Sequence, residues 1–132
     1  MKSLSIYSIT RKQNTEQLQK LERQLSGRAY FLKVRDWEMN SMRSFVDQLE
    51  LHMEEVYALR FFYSFTIPRL GKEFDLIQIK EDQIVNVELK SGEVTEEAIR
   101  KQLLQNRYYL APLGRTIRSY TYISSQNRLV RL

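Results

Sequence analysis

Cysteine is absent from the 132 residues of the sequence, and histidine occurs once, as His52. The absence of cysteine excludes disulfides and thiolate metal sites. A single histidine makes a histidine-rich zinc site or a Ser-His-Asp triad improbable. A bound metal would therefore be held by oxygen atoms, which favours Mg²⁺ or Mn²⁺. A chain without cysteine is also typical of a cytoplasmic protein.

Long apolar runs and low-complexity tracts are absent too. No run approaches the roughly 18 apolar residues that a membrane span requires, and residues 1–13 lack the apolar stretch of a signal peptide. No membrane partner is expected. With 42% hydrophobic and 28% charged residues, and with only 4 glycines and 2 prolines, the composition is that of about one globular domain.

Acidic residues are missing from the last part of the chain, and the whole chain carries a net charge of +5. All 16 acidic residues lie at or before Glu97, and the basic residues that follow are Arg100, Lys101, Arg107, Arg115, Arg118, Arg128 and Arg131. A segment with charges of one sign suits a polyanion such as nucleic acid. The alternative is that this segment docks on an acidic protein surface.

Hydrophobic periodicity predicts an α/β fold. The predicted elements are a short strand at 2–9, a helix at 10–24 capped by Asn14 or Thr15, a strand at 28–34, a helix at 37–61, a strand at 60–67 ended by Pro68 and Gly71, two strands at 74–79 and 84–90, a helix after Gly92, and strands at 116–123 and from 129 onward. The helix at 37–61 has the strongest pattern, because its apolar residues recur at three and four.

The stretch from Gly71 to Gly92 contains the residues with the clearest chemistry. It is predicted to be a hairpin, and a turn with an even number of residues, either 81–82 or 80–83, would place Asp75 opposite Glu88. Cross-strand neighbours share a face with Cβ atoms about 5 Å apart. Lys90 lies two residues beyond Glu88 and points to the same face. An ordinary half-exposed strand would show the same alternation.

Two carboxylates and an ammonium group are the parts that metal-dependent cleavage of a phosphodiester needs. Asp75 and Glu88 would hold the cation, and the backbone carbonyl of Leu89 would add an oxygen ligand. Lys90 would orient the attacking water or bind the scissile phosphate. On the helix at 37–61, Glu50 lies on the shoulder of the apolar stripe and is the acid best placed to reach inward, with Glu54 second. Alternatively, these glutamates are solvated surface charges.

The helix after Gly92 carries a polar face. Gln102, either Gln105 or Asn106, and Tyr109 are three to four residues apart, so this face could hydrogen-bond the lysine or the carboxylates, or contact a nucleic-acid backbone. The residues predicted to bind nucleic acid are Lys101, Gln105, Arg107, Tyr109, Arg115 and Arg118.

Phe74-Asp75, Glu88-Leu89-Lys90 and Gln102 together resemble the motif of the PD-(D/E)XK nuclease superfamily. The phrases GKEFDLI, VNVELKSG and KQLLQNRYYL are further similar to nuclease-type domains at the N-terminus of some bacterial helicase or ATPase proteins. Gln105 and Tyr109 match the Q-x-x-x-Y spacing of the branch related to recombination exonucleases. The likeness covers roughly residues 40–132, and phenylalanine replaces the proline of the pattern.

This resemblance implies an αβββαβ restriction-endonuclease-like core with a mixed central sheet flanked by helices. It implies that Asp75 and Glu88 are metal ligands and that Lys90 is catalytic. It further implies that Glu50 is the acid of the first helix and that Gln102 is the glutamine of the second.

The sequence is therefore interpreted as a nuclease that uses Mg²⁺ or Mn²⁺ to hydrolyse phosphodiester bonds in DNA, with water as the nucleophile. Residues 1–36 are assigned to an N-terminal extension and residues 37–132 to the nuclease-like core, cut from a longer chain. The expected partners are nucleic acid, a helicase or ATPase domain in the same or a partner chain, and a second copy of the chain. A non-catalytic nucleic-acid-binding module and a protein-interaction module of a larger ATPase remain the alternatives.

Overall fold

The computed structural model describes residues 1–12, 14–67 and 70–132. The helices are α1 Ile6–Thr10, α2 Thr15–Ser26, α3 Asp36–Glu50 and α4 Glu96–Leu110. The strands are β1 Leu4–Ser5, β2 Arg60–Ile67, β3 Lys72–Ile79, β4 Gln83–Lys90, β5 Thr116–Ile123 and β6 Arg128–Arg131. Short 3₁₀ turns occur at Val56–Ala58, Ala111–Leu113 and Ser124–Gln126.

The six strands found in this part of the chain belong to a mixed sheet in the order β1-β2-β3-β4-β5-β6. The β4–β5 pair is parallel, whereas the β1–β2, β3–β4 and β5–β6 pairs are antiparallel. The predicted α/β class with a mixed sheet and flanking helices is therefore confirmed. Among the described helices, none is long and apolar enough to cross a membrane.

The chain divides into two compact units, residues 1–62 and residues 63–132, with the division inside β2. In the first unit, α1, α2 and α3 bury apolar side chains: Ile6, Ile9, Leu18, Met42, Phe45 and Val46. The predicted boundary after Asp36 rested on the extent of the resemblance and stays a prediction.

Helix α2 has a capping residue at each end. The Asn14 side chain accepts a hydrogen bond from the Gln17 N–H at 2.9 Å, and Gly27 ends the helix in the left-handed conformation at φ 75°, which glycine adopts without a steric cost. The prediction of Asn14 as an N-cap is confirmed, and the helix starts at Thr15 rather than at Thr10. Gln13, within the predicted helix, lies outside the described residues.

The strand predicted at 2–9 is wrong except for the two residues of β1. Ser5 instead caps α1 by accepting a hydrogen bond from the Ser8 N–H at 3.4 Å, and Ile6 and Ile9 are fully buried. A spacing of three places both isoleucines on one face of a helix turn, whereas a strand would separate them.

The strand predicted at 28–34 is also wrong, because side chains satisfy its backbone groups in place of a neighbouring strand. Arg23 donates hydrogen bonds to the carbonyls of Arg28 and Ala29 at 3.4 and 3.3 Å. The Val34 N–H donates to Gln19 Oε1 at 2.8 Å. Strand composition alone did not reveal these partners.

The helix predicted at 37–61 ends at Glu50, eleven residues before the predicted end. The Leu49 carbonyl accepts hydrogen bonds from the N–H groups of His52 and Met53 at 3.0 and 2.9 Å, and the chain then turns. No glycine or proline marks this end of the helix in the sequence. The spacing of apolar residues also continues past it, and the prediction therefore placed the end too late. The strand predicted at 60–67 is confirmed as β2, and Pro68 lies outside the described residues.

In the second unit, β4 is the central strand beneath α4. It pairs with β3 on one side and β5 on the other, and consecutive residues from Asn86 to Leu89 are buried. Strand β4 is therefore covered on both faces, and the half-exposed alternative is wrong. Helix α4 packs Ile99 and Leu103 against Ile123 of β5.

Candidate active site

The hairpin of β3 and β4 has the register that brings Asp75 and Glu88 together. Ile79 pairs with Ile84 and Leu76 with Val87, and the same register places Asp75 opposite Glu88. The Lys80 N–H donates to the Gln83 carbonyl at 2.9 Å, so the turn holds an even number of residues, as predicted.

At this end of the hairpin, side chains take over from the backbone ladder. The Leu89 N–H donates to Asp75 Oδ2 at 2.9 Å, and the Asp75 N–H lies 3.4 Å from Glu88 Oε2. Each carboxylate therefore accepts a hydrogen bond from the opposite strand, which holds the two side chains at one point. The predicted convergence is present, while their roles as metal ligands, and that of the Leu89 carbonyl, stay predictions.

Glu88 lies in an unfavourable environment for a negative charge. Only 2% of the residue is exposed. Burial, and after it the charge of Asp75, raises the pKa of Glu88 to about 8. A carboxylate that is costly to ionise beside a second carboxylate is a site where a cation would be stabilising.

Two asparagines hold Glu88 from the sheet and from α4. Asn106 Nδ2 donates to Glu88 Oε1 and to Asn86 Oδ1, both at 2.8 Å. Asn86 Nδ2 lies 3.3 Å from Glu88 Oε1 and donates to the Leu76 carbonyl at 3.2 Å. Both asparagines are fully buried, so they fix the Glu88 carboxylate in one orientation.

Sequence reasoning gave Asn106 only as an alternative to Gln105 and gave Asn86 no role. A usable signal was present for Asn106, because it lies within the buried stripe of α4 that contains Ile99, Leu103 and Leu110. A polar residue in such a stripe needs a buried partner. No comparable signal marked Asn86, because alternation in β4 suggested an exposed face.

Lys90 follows Glu88 by two residues and is half-buried. Its backbone carbonyl accepts a hydrogen bond from Ser124 Oγ at 3.3 Å. Its ammonium group forms no ion pair with any residue that the structure describes. The charge of Lys90 is thus available to an anion.

Buried hydroxyls of β5 line up beside these groups. Ser119 pairs with Asn86 and Thr121 with Glu88 in the parallel register. Ser119 Oγ, Thr121 Oγ1 and Asn106 Oδ1 are buried without a hydrogen-bond partner in the described structure. A polar layer therefore runs between β4, β5 and α4.

The other α4 residues that were predicted to serve the site differ in how far they are exposed. Gln102 is half-buried, and Lys101, Gln105 and Arg107 are exposed. Tyr109 is 39% exposed, and the ammonium group of Lys72 lies 5.8 Å from the centre of its ring. The predicted roles of these residues in catalysis or nucleic-acid binding stay predictions.

Arg115 and Arg118 are exposed at the start of β5. Arg118 Nε donates to Gln83 Oε1 at 3.1 Å. Their predicted contact with nucleic acid stays a prediction.

Glu50 and Glu54 belong to the first unit and are exposed. Glu50 is the last residue of α3, and Glu54 lies in the turn that follows. No group of three or more histidine, aspartate or glutamate side chains able to hold a metal occurs within 1–12, 14–67 and 70–132. The prediction that either glutamate serves the hairpin stays a prediction.

No family model, curated protein or solved structure matches this chain.

Proposed function

We propose that the chain is a metal-dependent nuclease domain with a restriction-endonuclease-like core, and that it hydrolyses phosphodiester bonds in DNA. The observation that supports this proposal is the convergence of Asp75 and Glu88 at the end of the hairpin. The Leu89 N–H binds Asp75 at 2.9 Å, and Asn106 binds Glu88 at 2.8 Å. Both carboxylates are therefore held in place before a substrate arrives.

The residues present fit a divalent cation such as Mg²⁺ or Mn²⁺. Asp75 and Glu88 would hold it, with the Leu89 carbonyl as a further predicted ligand. Mg²⁺ keeps several waters and is commonly bound through one or two carboxylates, so the pair is a sufficient protein contribution. When bound, the cation supplies Lewis-acid polarisation of a phosphoryl oxygen and lowers the pKa of water.

The residues of the chain then have distinct proposed tasks. Lys90 binds the scissile phosphate or orients the attacking water, because its ammonium group can donate to either. Asn86 and Asn106 keep the Glu88 carboxylate in one orientation. No covalent intermediate is proposed, because water is the nucleophile.

The acid-free segment after Glu97 supports a nucleic-acid substrate. It contains seven basic residues, and those predicted to bind the phosphate backbone, Arg107, Arg115 and Arg118 among them, are exposed. Backbone contacts of this kind supply affinity without sequence specificity. A helicase or ATPase domain, in the same or a partner chain, is the proposed functional partner in the cytoplasm.

Cleavage assays test the proposal directly. Supercoiled and linear DNA would be incubated with the protein and Mg²⁺, Mn²⁺ or EDTA, beside Lys90→Ala and Asp75→Asn variants. We expect cutting that requires the metal and falls at least about 100-fold in either variant, the scale of losing one charge-stabilising group. Cutting that persists in EDTA or in both variants would contradict the proposal.

The burial of Glu88 favours a second candidate, a nucleic-acid-binding module that does not cleave. With 2% of the residue exposed and both asparagines bound to it, Glu88 is also suited to a purely structural role. Binding that weakens steeply with salt, without cutting under any metal condition, would identify this function.

A further inference from the structure

A small polar pocket lies beside the start of β5. It has a volume of about 240 Å³ and is lined by Arg107, Ile117, Arg118, Ser119, Arg131 and Leu132. Its three arginines come from α4, β5 and β6. Among the residues that the structure describes, no acidic side chain lines it. Three separate elements thus bring positive charge to one concave surface.

The charges of these arginines are largely unneutralised. Within the described chain, Arg107 and Arg131 form no ion pair and donate no side-chain hydrogen bond. Arg118 donates through Nε to the neutral Gln83. Three arginines that line one pocket, with no acidic side chain among its described lining residues, are a suitable arrangement for an anion.

Ser119 supplies an independent sign of a ligand. The residue is 1% exposed and lines the pocket, yet its hydroxyl has no hydrogen-bond partner in the described structure. A buried hydroxyl without a partner is unfavourable. An anion in the pocket would accept its hydrogen bond if the side chain turned from the polar layer between β4, β5 and α4 towards the pocket.

The groove next to this pocket lacks these properties. It shares Arg107, Arg131 and Leu132 but is also lined by Glu96 and Glu97. Carboxylates in its wall would repel an anion. The arginine pocket at Ser119 is therefore distinct from its surroundings in charge.

We propose that Arg107, Arg118, Arg131 and Ser119 form a binding site for a phosphate group. Guanidinium groups match the oxygens of phosphate in pairs, and the hydroxyl adds a further donor. The phosphate belongs either to a nucleic-acid backbone or to a free nucleotide or phosphate ion. This site shares Arg107 and Arg118 with the proposed nucleic-acid contacts and in that respect rests on the proposed function, but it does not depend on cleavage at Asp75 and Glu88.

Titration with inorganic phosphate, followed by backbone amide NMR at constant ionic strength, tests the site. We expect saturable shifts at Ser119 and Arg131 that an equal concentration of chloride does not produce. Arg107→Gln and Arg131→Gln should each raise the dissociation constant at least about tenfold, the effect of losing a charge-assisted hydrogen bond. The matched control is Arg100→Gln, which removes the same charge from α4 outside the pocket and should change the constant less than about twofold.

The Ser119→Ala variant separates binding from folding. Because the hydroxyl has no hydrogen-bond partner among the described residues, its removal should leave the urea midpoint unchanged or higher, yet weaken phosphate binding about threefold or more. Unchanged binding in a folded Ser119→Ala variant would remove Ser119 from the site. Shifts that do not saturate, or that Arg100→Gln weakens as much as Arg131→Gln, would overturn the proposal.

An oligonucleotide competition identifies the source of the phosphate. Displacement of inorganic phosphate by a single-stranded DNA at the same amides would support a backbone-phosphate site. Displacement by a mononucleotide alone would support a small phosphorylated ligand. Saturable binding of inorganic phosphate that neither competitor displaces would support a site for the free phosphate ion.

Discussion

At the scale of single residues, Asn106 joins α4 to β4 through two hydrogen bonds of its side-chain amide. It donates to Glu88 and Asn86 at 2.8 Å from a fully buried position. Replacing it with alanine leaves two buried acceptors without this donor. We expect Asn106→Ala to lower the free energy of unfolding by about 1–3 kcal/mol, as measured by urea denaturation.

Tyr108 is the matched control for this prediction. It lies on the same helix but is 81% exposed, so Tyr108→Ala should change the stability by no more than about 0.5 kcal/mol. Equal stabilities of the Asn106→Ala variant and the wild-type protein would show that the asparagine network contributes nothing.

Glu88 should make the stability of the metal-free protein depend on pH. Its pKa is about 8 in the folded protein against an ordinary value of 4.5. Between these values the folded state holds more protons, so the free energy of unfolding falls as pH rises, by up to about 1.4 kcal/mol per unit. The stabilisation is complete below pH 4.5 and lost through pH 8. Urea denaturation in EDTA from pH 6 to 8.5 measures this slope.

The control for the pH series is Glu88→Gln, which removes the titrating group and keeps a side chain of similar size. This variant should show a flatter slope than the wild-type protein over the same range, because every other titratable group is common to both. Identical slopes would assign the pH dependence to groups other than Glu88. Added Mg²⁺ should stabilise the wild-type protein most at high pH, where Glu88 is deprotonated.

At the scale of elements, the parity of the β3–β4 turn decides whether the site exists. One glycine inserted after Glu81 would move Asp75 to the face opposite Glu88 or force a bulge. We expect this insertion to abolish metal-dependent cutting and to weaken Mn²⁺ binding at least about tenfold, because one carboxylate no longer reaches the cation. Calorimetry with Mn²⁺ provides the measurement.

Two glycines inserted at the same place are the matched control. They lengthen the turn more but preserve the parity, so Asp75 and Glu88 should still meet and Mn²⁺ should still bind. If one and two inserted residues have the same effect, the register of the hairpin does not determine the site.

The elements that the sequence predicted well are those whose signals are local. Alternation and turn residues located the hairpin, and Asn14 marked the start of α2. The end of α3 could not be predicted, because no breaking residue follows Glu50 and the apolar spacing continues to Tyr57. Residues 28–34 look like a strand, yet Arg23 and Gln19 bind their backbone from another element, which no local pattern reveals.

The candidate site shows the same division between local and long-range information. The meeting of Asp75 and Glu88 followed from strand register, which a sequence pattern can state. The burial of Glu88 beneath α4 depends on long-range packing, and so does the choice of Asn106 over Gln105 as its partner. Because β4 lies between β3 and β5, its polar residues Asn86 and Glu88 are buried and hydrogen-bonded to each other, although their alternation suggested that they face solvent.

At the scale of the whole molecule, the distribution of charge is more informative than its total. The net charge is +5, but the segment after Glu97 alone carries seven positive charges and no negative ones. If this segment binds the phosphate backbone, binding should depend on which charges are removed. A general attraction to the basic chain would respond only to their number.

Salt dependence of DNA binding distinguishes these two cases. The logarithm of the association constant falls with the logarithm of salt concentration by about 0.9 for each neutralised phosphate of duplex DNA. A Lys101→Gln, Arg115→Gln variant should reduce this slope by about two contacts, as measured by fluorescence anisotropy. The control is Lys2→Gln, Lys33→Gln, which removes the same charge at exposed positions of the first unit and should leave the slope nearly unchanged. Equal reductions in both variants would mean that net charge, rather than the acid-free segment, determines the binding.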